Sequence, residues 1–284
     1  GQIVVRFSDP DPLLKALNLV TAEIYDGIWA VELGLEVLKK ITGAGSVSFA
    51  LDKQQDEPEL VQLAAQKKWT LRRFNCCHYP ALSDALIFRT VQGKEIDVSA
   101  KRTVDEGLLI VDVTTLLEVV DAAKYLKPVT EKKVVVTGPK GSRTLRVPIG
   151  TYLSHIVAES DCADEVGQVV LGGPMQGRAC HTLDFPLTKG VDGLTVFAPE
   201  DVALDTNDLC ISCGLCAKVC PMRLVPGMLS RFCEFGQWDD ANRASLFTCI
   251  ECGCCGYVCP SRRSMVQLLA HGKSEFLAMQ RSDS

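Results

Sequence analysis

Eight cysteines in two matching runs carry the chemistry that this sequence can do. Cys210, Cys213, Cys216 and Cys220 are spaced C-x2-C-x2-C-x3-C with Pro221 next, and Cys249, Cys252, Cys255 and Cys259 repeat that spacing with Pro260 next. This is the bacterial-type pattern for two [4Fe–4S] clusters, in which three thiolates wrap one cluster and the fourth ligates the other. The spacing therefore predicts cluster 1 on Cys210, Cys213, Cys216 and Cys259, and cluster 2 on Cys249, Cys252, Cys255 and Cys220. Crossed ligation of this kind would hold the clusters roughly a dozen ångströms apart, close enough for fast electron hopping. Gly214 and Gly253 give each loop the backbone freedom it needs. Pro221 and Pro260 turn the chain out after the fourth cysteine.

Two other readings compete. Zinc knuckles would use paired C-x2-C hairpins, often with histidine, whereas these runs are triplets plus a fourth cysteine in a chain with only four histidines. Disulfides need an oxidising compartment, and no export signal is visible in the sequence. Six further cysteines, Cys76, Cys77, Cys162, Cys180, Cys233 and Cys254, are expected to be small buried hydrophobes. Cys254 lies inside the second run, as a packing residue beside the cluster or, by a swap, an alternative ligand. Cys76-Cys77-His78 looks like a metal site on paper, but neighbours in a strand point to opposite faces. His155 and His181 stand alone, without ligand spacing.

The elements that must position these groups occupy 284 residues, enough for two or three domains. A net charge of −5 argues against a nucleic-acid partner. The longest apolar runs, such as Gly107 to Val113, fall far short of the roughly 20 residues of a membrane span. Strands are expected at 1–7, 46–51, 69–76 and 107–113, alternating with helices at 13–40, 57–67, 82–92 and 115–126. That alternation implies a parallel α/β domain over residues 1–128. A Ser8–Pro12 turn opens the first helix and Gly43 closes it, with Gly27 and Gly34 as possible breaks. The Gly43–Gly45 GAG precedes its strand instead of following it, so it reads as a helix stop and not as a nucleotide loop. Asp52, Asp56 and Glu57 read as a solvated loop.

Residues 129–199 read as a smaller β-grasp-like domain. Strands are expected at 133–137, 145–149, 166–171 and 194–197, with a helix at 151–158 capped by Gly150 or Thr151. The cluster GGPMQG at Gly172–Gly177 could hold an anion on its amides but is expected to shape a turn packed against a neighbouring domain. Residues 200–284 form the cluster domain, with short helices at 222–231 and 239–246 and a final helix at 264–279. Phe232, Phe235 and Trp238 are expected to cover the clusters. Arg223, Arg262 and Arg263 would offset cluster charge or stay solvated.

With GGPMQG, CISCGLCAKVCPMRLVP and CIECGCCGYVCPSRRSMVQ in order, the chain resembles the C subunit of the Rnf electron-transport complex, most specifically over residues 168–280. TEKKVVVTG and LRVPIGTYLSHIV resemble that family's soluble-ligand-binding β-grasp (SLBB) domain. YPALSDALIFRTVQGKEI resembles a segment of the domain shared with the NADH-binding flavoprotein subunit of respiratory complex I. The resemblance implies an α/β + α architecture: a Rossmann-like parallel-sheet domain, an SLBB-like domain and a C-terminal two-[4Fe–4S] ferredoxin-type domain. It also implies a flavin loop of the type GGAGFP that holds FMN and stacks NADH, and no such loop is present in these residues. Phe7-Ser8-Asp9-Pro10-Asp11-Pro12 stands where the family has Glu-Cys-Glu-Pro, and Tyr79-Pro80-Ala81-Leu82 replaces the glycine-containing YPxG turn. The flavin and NADH region is thus degenerate, and no FMN- or NADH-binding residue and no bond-making residue is assigned. The expected role is a non-catalytic electron-transfer subunit between a flavoprotein or ferredoxin partner and other, Rnf-like membrane subunits, peripheral at the cytoplasmic face. The alternatives are an FMN-dependent NADH dehydrogenase subunit and a zinc-organised interaction protein.

Overall fold

The computed structural model describes residues 1–8, 11, 28–54, 57–76, 79–97, 101–162, 166–202 and 208–282. The chain divides into two compact units, residues 1–92 with 103–202, and residues 93–102 with 203–284.

The first unit holds two sheets. One is parallel and four-stranded: β1 (Gln2–Arg6), β2 (Ser46–Asp52), β3 (Thr70–Phe74) and β4 (Leu108–Asp112), in the order β3-β2-β1-β4. Its helices are α1 (Ile28–Thr42), α2 (Pro58–Lys67), α3 (Asp84–Gln92) and α4 (Val113–Tyr125). Alternation along the strands fills a core, because successive side chains leave a strand on opposite faces. Ile3 and Val5 of β1 and Val47, Phe49 and Leu51 of β2 meet Val31 and Leu35 of α1, Leu60 and Leu63 of α2 and Leu116 of α4. Phe49 lies between Phe7 and Trp69, with centroids 5.1 and 5.5 Å away. Val4 and Ala50, aimed the other way, are buried too, so both faces of the sheet are covered, as a parallel sheet requires. Each fully buried Val, Leu, Ile or Phe among them contributes about 1.5–3 kcal/mol by leaving water.

Gly34 does not break α1. It lets the helix approach α4, where an added Cβ would lie 2.9 Å from Leu116. Gly43 ends α1 with φ +66° and donates its N–H to the Lys39 carbonyl at 2.9 Å. The GAG is therefore the expected helix stop. Residues 13–27 of the expected first helix, most of the Ser8–Pro12 turn, Asp56, Cys77 and His78 lie outside the described residues. Asp52 accepts the Gln54 and Cys76 amides at 3.2 and 3.4 Å and so shapes its own turn.

The second sheet is mixed and five-stranded: β5 (Glu131–Gly138), β6 (Gly141–Pro148), β7 (Gln168–Leu171), β8 (Arg178–Ala179) and β9 (Gly193–Phe197), in the order β6-β5-β9-β7-β8. β5 and β9 pair in parallel, and the other ladders are antiparallel. Helix α5 (Leu153–Ala158) drops Leu153, Ile156 and Val157 onto Val134, Val136 and Val196. The expected cap is corrected: Tyr152 is the N-cap, without a side-chain bond, because Thr151 Oγ1 donates instead to the Pro148 carbonyl at 2.8 Å. His155 and His181 are exposed. Cys162 is buried in this core, its Sγ 2.2 Å from where a Cβ on Gly138 would lie.

GGPMQG links β7 to β8, and Gly172 adopts φ +93°. Its hollow receives Asp11, which is 4% exposed: the Met175 amide donates to Asp11 Oδ2 at 3.1 Å, and a Cβ on Gly173 would stand 2.0 Å from Asp11 Cγ. The turn thus packs against Asp11, within one compact unit, and the anion on its amide is the chain's own carboxylate.

The second unit is helical: α6 (Leu215–Lys218), α7 (Pro226–Glu234), α8 (Trp238–Arg243), α9 (Cys254–Tyr257) and α10 (Met265–Ser282). The helix expected at 222–231 begins at Pro226 instead, because proline belongs in a first turn, and it runs on to Glu234. Leu229, Cys233, Ala241, Leu246 and Leu269 form the core. Among the described residues no helix is long and apolar enough to cross a membrane.

Candidate metal centre

The two cysteine runs are one backbone unit used twice, at a constant offset of 39 residues from Cys210–Cys220 to Cys249–Cys259. Ser212 and Glu251 have φ +56° and +53°, Gly214 and Gly253 +74° and +80°, and Arg223 and Arg262 +57° and +41°. Each run contains a four-residue helix, α6 or α9, and leads on to a longer one, α7 or α10. The left-handed residues curl each loop so that amides turn toward sulfur. Leu224 N–H reaches Cys220 Sγ and Glu251 N–H reaches Cys249 Sγ, both at 3.4 Å.

The cysteine runs of the two halves meet in a cavity. Cys220 of the first run lines one apolar cavity together with Cys249, Cys252 and Cys255 of the second. Leu224, Leu229, Val266 and Leu269 close it, and Cys254 is a fifth sulfur on its wall. At the other end the Asp208 amide donates to the Ser261 carbonyl at 3.2 Å, two residues before Cys210 and two after Cys259. A second cavity is lined by Cys210 and Cys216 with Phe232 and Phe235. Cys213 is exposed, and Cys259 does not line that cavity. Phe232 and Phe235 share that cavity with first-run cysteines, but Phe235 is 69% exposed and so does not shut out water. Trp238 instead meets His271 edge-on at 5.7 Å.

Burial differs between the runs. Cys252 and Cys255 are 8% and 7% exposed, while Ile211 and Cys213 of the first run are exposed. Burial pushes the Cys255 thiol up to about 12 and raises Cys249. Cys252 is raised first by its hydrogen bond to Cys254 and then by burial, and the same bond lowers Cys254. Protein groups alone therefore do not favour thiolates here, and bound metal would have to supply the compensating charge while protons leave. Among the described residues no three His, Cys, Asp or Glu side chains converge as ligands of a single ion. Five cysteines around one apolar cavity, with amides donated to sulfur, form a donor set that suits an iron–sulfur cluster.

Of the arginines, Arg223 and Arg262 are exposed. Arg263 is 4% exposed, donating to Glu234 Oε2 at 2.5 Å and to the Asp208 carbonyl at 3.3 Å. Lys273 of α10, 7% exposed, was not singled out by sequence reasoning. Its Nζ donates to the Cys249 carbonyl and to Glu251 Oε1, both at 2.6 Å. The 39-residue offset could have found it, because it places Lys273 opposite Glu234 in the other repeat.

A family model described as a 4Fe-4S binding domain matches residues 206–223. The chain is 28% identical over 285 residues to the C subunit of the Na(+)-translocating ferredoxin:NAD(+) oxidoreductase complex of Acetobacterium woodii, covering 98% of this chain and 63% of that protein. It is 34% identical over 203 residues to the C subunit of the proton-translocating ferredoxin:NAD(+) oxidoreductase complex of Clostridium ljungdahlii, covering 69% and 44%. It is 32% identical over 194 residues to the C subunit of the ion-translocating oxidoreductase complex of Methanosarcina acetivorans, covering 68% and 43%. The chain thus spans about half the length of these relatives. In fold it is similar to a chain of an NAD+-reducing [NiFe]-hydrogenase in its H2-reduced state, with TM-score 0.56 and 14% identity, covering 99% of this chain and 60% of that one. The resemblance to C subunits and the 4Fe–4S-binding character of the C-terminal region therefore hold.

Proposed function

We propose that this chain, a relative of the C subunits of ion-translocating oxidoreductase complexes, is an electron-transfer subunit that relays single electrons through two [4Fe–4S] clusters. The observation that carries the reading is the cavity where Cys220 of the first run joins Cys249, Cys252 and Cys255 of the second. It supports crossed ligation of cluster 2 on those four, and the cysteine spacing assigns cluster 1 to Cys210, Cys213, Cys216 and Cys259. Bound clusters supply one-electron redox chemistry. The chain's part is to hold them with thiolates, donate amides to sulfur, and keep water from the second with Leu229 and Leu269.

We assign a Rossmann-like domain to 1–128, an SLBB-type β-grasp domain to 129–199 and the ferredoxin-type domain to 200–284. The parallel pairing of β5 with β9 at the centre of a mixed sheet supports the middle assignment. Open α/β sheets bind ligands outside the carboxyl ends of strands at the switch point, here between β1 and β4. That place holds the Arg6–Asp112 ion pair at 2.6 Å, and Arg6 also donates to the Leu82 carbonyl at 2.9 Å. This supports a docking scaffold in place of a flavin site. The partners are the redox subunits of a membrane complex and a ferredoxin or flavoprotein, with the chain peripheral on the cytoplasmic side.

Anaerobic reconstitution tests the reading. About eight irons per chain and two reducible centres are expected, and zinc without iron or sulfide would overturn it. Stoichiometric FMN in the purified chain would replace the scaffold reading with that of an FMN-dependent NADH dehydrogenase.

A further inference from the structure

We infer that Lys273 sets the reduction potential of the second-run cluster, holding it above the value that the cysteine loop alone would give. The inference rests on the cluster reading above and goes on to assign what distinguishes the two centres.

The cysteine loops are backbone copies, with matching left-handed residues at each step. What differs is the charge that the following helix presents to its loop. At one position of the repeat the first half has Glu234 and the second has Lys273. Glu234 is neutralised by Arg263, whose other contact is the Asp208 carbonyl just before Cys210. Lys273 needs no such intermediary. Its ammonium sits on the carbonyl of a predicted ligand residue, Cys249, at 2.6 Å, and is 7% exposed. Its counter-ion Glu251 has a side chain that is 39% exposed, so solvent screens the anion more than the cation.

Reduction adds one electron to a centre held by four thiolates. A buried cation one carbonyl from a ligand stabilises that added charge, and weak screening lets the effect persist. Net charge near the centre is among the established levers on such potentials. Lys273 also holds Glu251 in its left-handed turn, from which the Glu251 amide donates to Cys249 Sγ. It therefore acts as a positioning residue through the loop as well as through its charge.

The test is an EPR-monitored redox titration of the anaerobically reconstituted full chain. Wild type should give two one-electron waves, and Cys252→Ala should identify the second-run centre as the one it abolishes. In Lys273→Met that wave should move to lower potential by at least tenfold in the reduction equilibrium, about 59 mV for one electron, while the other stays. In Glu251→Gln the same wave should move the opposite way, because the cation then lacks its counter-ion. If Lys273→Met fails to assemble the centre, Glu251→Gln decides. Two wild-type waves that neither variant moves, or that move together, overturn the inference and leave the cluster reading intact. No reducible centre in wild type overturns both.

Discussion

Crossed ligation can be tested by asking which pairs of lesions fall on the same centre. Cys220 shares a cavity with Cys249, Cys252 and Cys255, not with the cavity of Cys210 and Cys216. Removing one thiolate from a four-cysteine site removes its cluster, so Cys220→Ala and Cys252→Ala should each lower iron from about eight to about four per chain, one cubane's complement. The double variant Cys220→Ala/Cys252→Ala should also retain about four, because both changes strike one site. Cys210→Ala/Cys220→Ala, both in the first run, should lose nearly all iron. Iron and acid-labile sulfide assays on anaerobically reconstituted protein, with spin counts of the reduced samples, read the outcome. The reverse result, with Cys220→Ala/Cys252→Ala empty and Cys210→Ala/Cys220→Ala half-loaded, would refute the reasoning.

Three further outcomes are expected. Gly173→Ala places a Cβ 2.0 Å from Asp11 Cγ, so the carboxylate must leave the Met175 amide at a cost of about 1–3 kcal/mol; a thermal melt should fall, and Asp11→Ala should then add little. Gly272→Ala drives a Cβ to 2.3 Å from Cys233 Sγ where α10 crosses α7; overpacking of about 1–3 kcal/mol outweighs the helix-propensity gain, and Cys233→Ala should rescue the melting temperature. Burial, then the neighbouring Cys249, raises the Cys233 thiol from 9.0 to about 11. The folded chain therefore keeps its proton longer than the unfolded one. The resulting stability is fully present below pH 9, is lost as pH rises through 11, and is worth about 1–2 kcal/mol after discounting for solvent. Denaturant titrations of cluster-free protein should show that slope, and Cys233→Ala should lessen it, leaving the share of Cys249, Cys252 and Cys255, whose thiols are raised as well.

Much of this was legible in the residues. The β-branched and apolar runs marked β1, β2 and β4, because a strand inside a covered parallel sheet reads as nearly continuous hydrophobe. Both cysteine runs were explicit in their spacing, and Gly43 announced the end of α1. β8 escaped notice, since Arg178 and Ala179 are exposed and carry no pattern. The start of α7 was misplaced because apolar Met222 and Leu224 resemble helix, whereas Pro226 fixes the first turn. Lys273 escaped for a different reason. Its partners lie 22 and 24 residues away on another segment, and a lysine on a long amphipathic helix reads as solvated until the fold buries it.

The Asp11 carboxylate seated in the glycine turn has a consequence for ligand binding. A tethered group competes with diffusing ones at an effective concentration in the millimolar range or above. Free phosphate, nucleotide or acidic peptide would have to evict a resident that never drifts away. Swapping that one residue for a neutral one is thus the simplest way to turn a closed structural joint into a vacancy for anions.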